Sequence, residues 1–295
     1  YLDPGSNNQI VDLQSIAIQV ARSENLPVLP QIVSAVLRLA DDPNASPRSM
    51  EALIERDAAI SAKVLRVANS PYYGVQGVSS VGRAVSILGM NAVRNLVVSI
   101  AYQQLISGRI QSKSFNRAEY WQHSMASALA CRVLGKLKDP MKAEELYCAG
   151  LMHDVGMLIF DRFLPQEFDD AINAAKTESL PLLDAEMRAV GFTHLQAGEL
   201  LVQKWALGGV IGECMEYCSN PMLIPEDKGY VHIVIASDYI ADVAGLQNHS
   251  KHEPELNPIT EDFLKLPDGQ LEVIVSVVRD ELEKASAAFQ VQIAA

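Results

Sequence analysis

The run LMHDVG at residues 151–156 puts His153 beside Asp154 within an apolar stretch of helical periodicity. An imidazole and a carboxylate are costly to bury unless they find partners. Two further polar residues lie in comparable apolar helical patterns, namely His123 and Asp238. The inward face expected for Asp238 would leave its charge uncompensated unless a cation or a donor lay close to it. These four residues therefore predict a helical fold with one shared polar centre.

Two imidazoles and two carboxylates supply the nitrogen and oxygen donors that bind iron, zinc, manganese or nickel. Two interpretations of the predicted centre are open. The four residues form a metal site, or they form a hydrogen-bonded core that only specifies how the helices pack. No pattern in the sequence predicts an organic cofactor.

Apolar residues recur at i, i+3 and i+4 along most of the chain, and no strand-like alternation competes, so the sequence predicts an all-α fold. Residues with capping chemistry mark several helix boundaries. The predicted N-caps are Ser46, Ser79 or Ser80, Asn91 and Thr193, and Gly89 is expected to end the helix that begins at Ser79 or Ser80.

Three segments are expected along the chain. A break at Ser107-Gly108 and the polar stretch 111–116 predict an N-terminal helical lobe over residues 1–110 and a second helical lobe over residues 111–245. Residues 246–295 are expected to form a polar loop and a C-terminal helix. The loop contains His249 and His252, which its polar composition predicts to be solvated.

The charge distribution argues against general nucleic-acid binding. The net charge is -12, and the residues after 110 contain 15 Lys+Arg against 28 Asp+Glu, which would repel a phosphate backbone. The helical patterns at 81–88 and 91–100 have the spacing of a helix-turn-helix. Only Arg94 is basic in the second of them, so packed helical hairpins are expected instead.

The four cysteines show no framework spacing and no secretory segment precedes them, which favours a reducing cytoplasm. Because the chain begins at Tyr1, this expectation applies only to the residues given. Cys214 and Cys218 form an i, i+4 pair that could bind a soft metal, although small core residues are the expected role. No apolar run approaches the roughly 20 residues that span a bilayer.

Six segments occur together in a distinctive order. They are LPVLP at 26–30, DAAISAKVLRVANS at 57–70, VSSVGRAVSILG at 78–89, WQHS at 121–124, AGLMHDVG at 149–156 and GFTH at 191–194. In this combination the chain resembles the HDOD family, a regulatory branch of the HD metal-dependent phosphohydrolase superfamily. The resemblance implies a multi-helix HD-type bundle packed against an N-terminal helical lobe. It also implies a set of metal ligands, which are His123, His153, Asp154 and Asp238, with His194 as an additional ligand.

The chain departs from the catalytic relatives at three places. Met157 stands where those relatives commonly carry a lysine, YCSNP at 217–221 replaces a His-His pair before Asp-Pro, and the Gly-Tyr-Pro loop of cyclic-dinucleotide phosphodiesterases is absent. A binuclear centre needs both ions to hydrolyse a phosphodiester. The resemblance and these losses together predict a bacterial signal-transduction module that acts through protein contacts, with a vestigial or mononuclear metal site. The alternative is a metal-dependent phosphodiesterase or phosphomonoesterase. No motif names the signal, the partner or the oligomeric state.

Overall fold

Every regular element that the computed structural model describes is helical, over residues 13–22, 31–40, 42, 44–107 and 111–290. This confirms the predicted all-α fold. The α-helices are α1 (Leu13–Arg22), α2 (Gln31–Ala40), α3 (Pro47–Ile54), α4 (Ala58–Ala68), α5 (Val81–Leu88), α6 (Met90–Ile106), α7 (Arg117–Lys138), α8 (Ala143–Met152), α9 (Met157–Phe163), α10 (Pro165–Glu178), α11 (Leu182–Val190), α12 (His194–Lys204), α13 (Gly209–Tyr217), α14 (Val231–Val243), α15 (Pro258–Leu264) and α16 (Gln270–Phe289). Short 3₁₀ turns lie at Pro221–Leu223 and Glu226–Lys228.

Most of the predicted helix starts are confirmed by their hydrogen bonds. Ser46 caps α3, Ser80 caps α5 and Thr193 caps α12, each by accepting a backbone N–H three residues further along the chain. The prediction for Asn91 is wrong, because α6 begins at Met90 with Gly89 as its N-cap. Gly89 has φ 86° and both ends α5 and precedes α6. A glycine in this conformation turns the chain within one residue and leaves no place for a separate cap.

The helices surround one continuous apolar core. Helices α2 to α6 pack on one another, α7 packs along α8, α14 and α16, and α6 contacts both α7 and α8. No helix among the described residues has the length and apolar character needed to cross a membrane. Arg94 is only 3% exposed on α6, so the basic residue that the helix-turn-helix interpretation would need is not available on the surface.

Two buried aspartates hold the segment that leads into α7. The Asp161 carboxylate accepts hydrogen bonds from the backbone N–H of Gln111 and of Ser112. The Asp169 carboxylate accepts from the Ser112 hydroxyl and from the backbone N–H of Ser114. These bonds fix the polar stretch that the sequence marked as a boundary. Gly108 of the predicted break and the LPVLP segment at 26–30 lie outside the described residues.

We expect Asn69→Ala to lower the free energy of unfolding by about 1–2 kcal/mol. The Asn69 amide donates to the carbonyls of Leu65 and Val78 and accepts from the Val78 N–H, which ties the end of α4 to the start of the α5 segment. Urea unfolding measures the loss. Asn173→Ala is the control, because its side chain accepts only one long bond from Ser114 at 3.4 Å, and an equal loss in both variants would contradict the expectation.

Candidate metal centre

Two helices and one turn bring the four residues of the predicted centre together. His123 lies on α7, His153 and Asp154 follow α8, and Asp238 lies on α14. The His123 Nε2 atom is 3.0 Å from Asp238 Oδ1 and 3.4 Å from His153 Nε2. The His153 Nε2 atom is 3.2 Å from Asp154 Oδ1. Donor atoms of His123, His153 and Asp238 all lie within 4.8 Å of one another, so these side chains converge on one small volume.

The apolar surroundings of the His-Asp pair predicted that it lies inside a continuous helix, and this prediction is wrong. Helix α8 ends at Met152, residues 153–156 form a turn, and α9 begins at Met157. Adjacent positions of one α-helix point about 100° apart, whereas the turn lets both side chains face the same centre. Gly156 in this turn packs directly against α12, where a Cβ atom would lie 1.8 Å from the His194 carbonyl oxygen.

The first two imidazoles are held by backbone carbonyls. His123 Nδ1 lies 2.8 Å from the Leu246 carbonyl oxygen, and His153 Nδ1 lies 2.7 Å from that of Gly150. Because a carbonyl only accepts, each Nδ1 carries the hydrogen in these bonds. The Nε2 atoms then face the centre, which is how histidine ligands are oriented in metal sites.

His194 reaches the same centre from the first turn of α12. Its Nδ1 atom is 2.8 Å from both carboxylate oxygens of Glu186, and its Nε2 atom is 3.0 Å from Asp154 Oδ1. Glu186 lies on α11 and is fully buried, and it also accepts the His194 backbone N–H. Glu186 was not predicted from the sequence, since one acidic residue in an amphipathic helix carries no signal of its own. Its position creates a carboxylate–histidine pair of the kind that supports metal ligands.

The charges of the centre shift the pKa values of its members in opposite directions. Burial opposes protonation of His123, but the hydrogen bond and charge of Asp238 raise its pKa to about 10. Burial likewise opposes protonation of His194, and the charges of Glu186 and Asp154 raise its pKa to about 10. Burial alone would raise the pKa of Asp154, but the His153 and His194 charges hold it well below its usual range.

The donor set fits a divalent cation. The Nε2 atoms of His123 and His153 lie 3.4 Å apart, a separation at which two lone pairs repel unless a proton or a cation lies between or beside them. Protons fill that role when the imidazoles are charged. A divalent ion would replace them and would neutralise the two carboxylates at the same time.

A cavity of about 370 Å³ opens above the centre. Asp238 forms part of its lining and its side chain is 47% exposed, so this carboxylate points to the centre, as predicted, but from an open cavity. Four carboxylates line the cavity, and no lysine or arginine does among the described residues. The acidic lining residues are Asp154, Asp238, Asp242 and Glu255, and the apolar ones include Leu182, Leu183, Leu195, Ile235 and Leu256.

The prediction that His249 is solvated is wrong. His249 is 1% exposed and lies in the loop after α14, where it contacts Asn248 and the backbone of Asn116. The polar composition of the loop suggested exposure to solvent. A loop that covers a buried carboxylate, however, also needs polar residues on the side that faces that carboxylate. Asn248 was also missed, and its amide donates to Asp154 Oδ2 over 2.7 Å. His252 is half-buried at the cavity.

The two cysteines of the i, i+4 pair do not supply thiolates. Cys214 is buried and Cys218 is partly buried. Burial raises the pKa of Cys214 well above its ordinary value and raises that of Cys218 to about 12. Both stay protonated near neutral pH, and a protonated thiol is a poor metal ligand.

Comparison with protein families gives one match. The family model described as HDOD domain matches residues 26–221, which is more than half of the chain. Among curated proteins, an uncharacterized protein from Treponema pallidum (strain Nichols) is 25% identical over 211 residues, or 70% of this chain and 40% of that protein. The chain therefore spans less than half the length of this relative.

Solved structures share the fold. An HDOD domain protein of unknown function from Geobacter sulfurreducens has a TM-score of 0.78 at 22% identity, over 96% of this chain and all of that one. A candidate signal transduction protein from Marinobacter aquaeolei VT8 has a TM-score of 0.74 at 20% identity, over 90% of this chain and 60% of that one. A candidate metal-dependent phosphohydrolase from Shewanella amazonensis SB2B has a TM-score of 0.61 at 20% identity, over 94% of this chain and 97% of that one.

We expect Gly156→Ala to lower the free energy of unfolding by about 1–3 kcal/mol or more. The new Cβ would meet two backbone groups, the His194 carbonyl and the Gly198 N–H, and neither can move like the end of a side chain. Urea unfolding measures the change. Gly208→Ala is the matched control, since a Cβ there meets nothing within 4 Å and the loss should stay within about 0.5 kcal/mol. Similar losses in the two variants would argue against the close contact.

The metal-free protein should become less stable as the pH rises. The pKa values of His123 and His194 are raised from 6.5 to about 10, so between these pH values the folded state binds more protons than the unfolded state. Their contribution is complete below about pH 6.5 and is lost as the pH approaches about 10. We expect a decrease of at least about 1 kcal/mol per histidine.

Urea unfolding in the presence of a chelator at pH 6.5, 8 and 9.5 measures this dependence. His123→Asn should make it shallower without removing it, because His194 still contributes, whereas His252→Asn, which replaces a half-buried histidine outside the cluster, should leave it unchanged. A stability of the unchanged chain that stays level across these pH values would contradict the expected charge state.

Proposed function

The chain belongs to the HDOD domain family, and we propose that it is a signal-transduction module whose second helical lobe binds one divalent cation without hydrolysing phosphoesters. In this proposal the lobes are residues 1–110 and 111–245, followed by a loop and C-terminal helix over residues 246–295. The module acts through contacts with other signalling proteins. Its proposed metal ligands are His123, His153, Asp154 and Asp238, with His194 as an additional ligand.

The observation that carries the metal site is the common orientation of the imidazoles. Carbonyl or carboxylate groups hold Nδ1 of His123, His153 and His194, so every Nε2 atom faces the Asp154 carboxylate. The Nε2 atoms of His123 and His153 also face Asp238. Such supporting contacts raise the basicity of a histidine ligand and fix its direction. Imidazole and carboxylate donors suit iron, zinc, manganese and nickel. The bound ion would supply positive charge and Lewis-acid chemistry at this point.

The cavity lining supports a binding role over hydrolysis. A phosphoester carries negative charge that further increases during attack, and enzymes stabilise it with cationic side chains, backbone N–H groups or a second metal ion. Besides the proposed metal ligands, the cavity instead presents the carboxyl groups of Asp242 and Glu255, and no lysine or arginine among the described residues. Met157, in the position of the missing lysine, accepts a hydrogen bond from the Asn248 amide through its sulfur atom. It is 1% exposed and offers no proton.

A signalling role also needs a path from the centre to the rest of the molecule. The Tyr120 hydroxyl donates to the Asp154 backbone carbonyl over 3.1 Å and lies 2.5 Å from the Tyr102 hydroxyl on α6. Both rings are fully buried. A shift of the Asp154 backbone on metal binding would therefore be transmitted through Tyr120 to Tyr102 on α6. The likeness to the candidate signal transduction protein from Marinobacter aquaeolei VT8 is in accord with such a role.

Hydrolysis is the second candidate function. It is favoured by the contact of His194 with Asp154 beside the cluster of His123, His153 and Asp238, since His194 Nε2 lies 3.0 Å from Asp154 Oδ1 and could help to hold a second ion. The Shewanella amazonensis SB2B protein described as a candidate metal-dependent phosphohydrolase has a related fold. Under this alternative the substrate would be a phosphodiester or a phosphomonoester.

Metal content and turnover measured on the same samples distinguish the two functions. We expect near-stoichiometric iron, zinc, manganese or nickel by inductively coupled plasma mass spectrometry when no metal-affinity step is used. His153→Ala should lose the metal, because it removes one Nε2 donor of the cluster. His252→Ala should keep it, because His252 lines the same cavity outside the cluster.

The same samples should not hydrolyse p-nitrophenyl phosphate or bis(p-nitrophenyl) phosphate when Mn²⁺, Fe²⁺, Ni²⁺ or Zn²⁺ is added. Turnover that His153→Ala abolishes and His252→Ala retains would establish the phosphohydrolase instead. No metal in any of the three proteins would show that the cluster is only a hydrogen-bonded core.

A further inference from the structure

A chain of three hydrogen bonds connects the start of α7 to the carboxylate of Asp154. The backbone N–H of Asn116, the N-cap of α7, donates to His249 Nε2 over 2.7 Å. His249 Nδ1 lies 2.6 Å from Asn248 Oδ1. The Asn248 amide nitrogen donates to Asp154 Oδ2 over 2.7 Å. A short loop after α14 thus reaches a proposed metal ligand that follows α8.

The two ends of this chain determine the direction of every bond in it. A backbone N–H can only donate, so His249 Nε2 accepts with its lone pair and Nδ1 carries the hydrogen of the neutral ring. His249 therefore donates to the Asn248 oxygen, and the Asn248 NH₂ group must face Asp154. An ionised carboxylate can only accept, so the Asp154 end of the chain requires the same orientation of the Asn248 amide. Reversal of the Asn248 amide would place an oxygen against the carboxylate.

The same loop also orients a second proposed ligand. The carbonyl of Leu246 accepts a hydrogen bond from His123 Nδ1 over 2.8 Å. Residues 246–249 therefore contact both His123 and Asp154, while leaving His123 Nε2 and Asp154 Oδ1 directed at the other imidazoles. One segment of four residues determines the orientation of two ligands from different parts of the chain.

His249 is held in an unusual environment. Its ring is 1% exposed and packs against Phe115 at a centroid distance of 5.1 Å. Its backbone has φ 65°, the left-handed region that costs energy for a residue with a side chain. Burial lowers its pKa to about 3, so the ring stays neutral at pH 7. A strained backbone and a buried neutral imidazole persist where the surrounding structure requires them.

We propose that Asn248 and His249 are positioning residues, which hold the Asp154 carboxylate in its ligating orientation and thereby set the affinity of the centre for a divalent cation. This inference rests on the proposed metal centre. Neither residue coordinates the ion. Asn248 acts by donating to Asp154, and His249 acts by fixing which side of the Asn248 amide faces the carboxylate.

Mn²⁺ titration of the full chain by isothermal calorimetry, after removal of bound metal with a chelator, tests the proposal. His249→Phe keeps a buried ring but removes both nitrogens, and Asn248→Leu removes the donor to Asp154. Each variant should bind Mn²⁺ about 10–100-fold more weakly than the unchanged chain, the range typical of lost supporting contacts at metal sites. His249→Asn should restore binding to within about threefold, because an asparagine amide can donate in place of Nδ1 and accepts the left-handed conformation.

His232→Phe is the matched control. His232 is a buried histidine on α14 that bonds the Thr260 hydroxyl and stacks on Phe263, away from the cluster. It should leave Mn²⁺ affinity unchanged even if it lowers the melting temperature. The melting temperature of every metal-free variant is measured by circular dichroism, so that loss of affinity is separated from loss of folding.

The outcomes separate the two levels of the proposal. Tight Mn²⁺ binding by the unchanged chain that is equally tight in His249→Phe and Asn248→Leu would overturn the positioning role and leave the metal centre standing. Weakened binding in His249→Asn equal to that in His249→Phe would also overturn it. If the unchanged chain itself binds no Mn²⁺, the proposed metal centre fails and the positioning role fails with it.

Discussion

The buried carboxylate of Asp154 is the constraint on which the site depends. It is 5% exposed, and a carboxylate taken out of water costs several kcal/mol unless charges and donors compensate for it. His153 supplies one neighbour from the same turn, His194 supplies a second from α12, and the Asn248 amide supplies a third from the loop after α14. The position of one carboxylate thus requires three separated segments to meet. Glu186 then compensates His194 in turn.

The surrounding helices are arranged around this meeting point. Helix α7 carries His123 and packs along both α8 and α14, which brings the Asp238 carboxylate close to the imidazoles of His123 and His153. The turn at 153–156 can approach α12 so closely only because Gly156 has no side chain. Each of these elements is held by contacts with several others, so the site has little freedom to rearrange around an uncompensated carboxylate charge. A divalent ion and protons are then alternative ways to neutralise the same centre.

This arrangement favours a role in which binding of a cation at the centre changes the conformation of the surrounding helices. The cavity is acidic and has apolar walls, which disfavours a charged phosphoester, while the Asp154 backbone is tied through two buried tyrosines to α6. In the proposed signalling role, this connection would carry a change at the centre to α6. The acidic surface of the second half of the chain is consistent with protein contacts and unfavourable for nucleic acid.

The sequence by itself determined the helical fold, three of the four helix starts predicted from capping residues, and the four polar residues on apolar patterns, because periodicity and capping are local properties that a single chain displays. It could not show that α8 ends at Met152 or that Gly156, in the turn that follows, packs against α12. It also could not show that Glu186, Asn248 and His249 face the centre, because each looks like an ordinary polar residue of a surface helix or loop. Only the tertiary structure decided these points. The partners of a buried charge are chosen by distance in space, and residues far apart in the sequence meet there, such as Asn248 with Asp154, 94 positions apart, and Asp238 with His123, 115 positions apart.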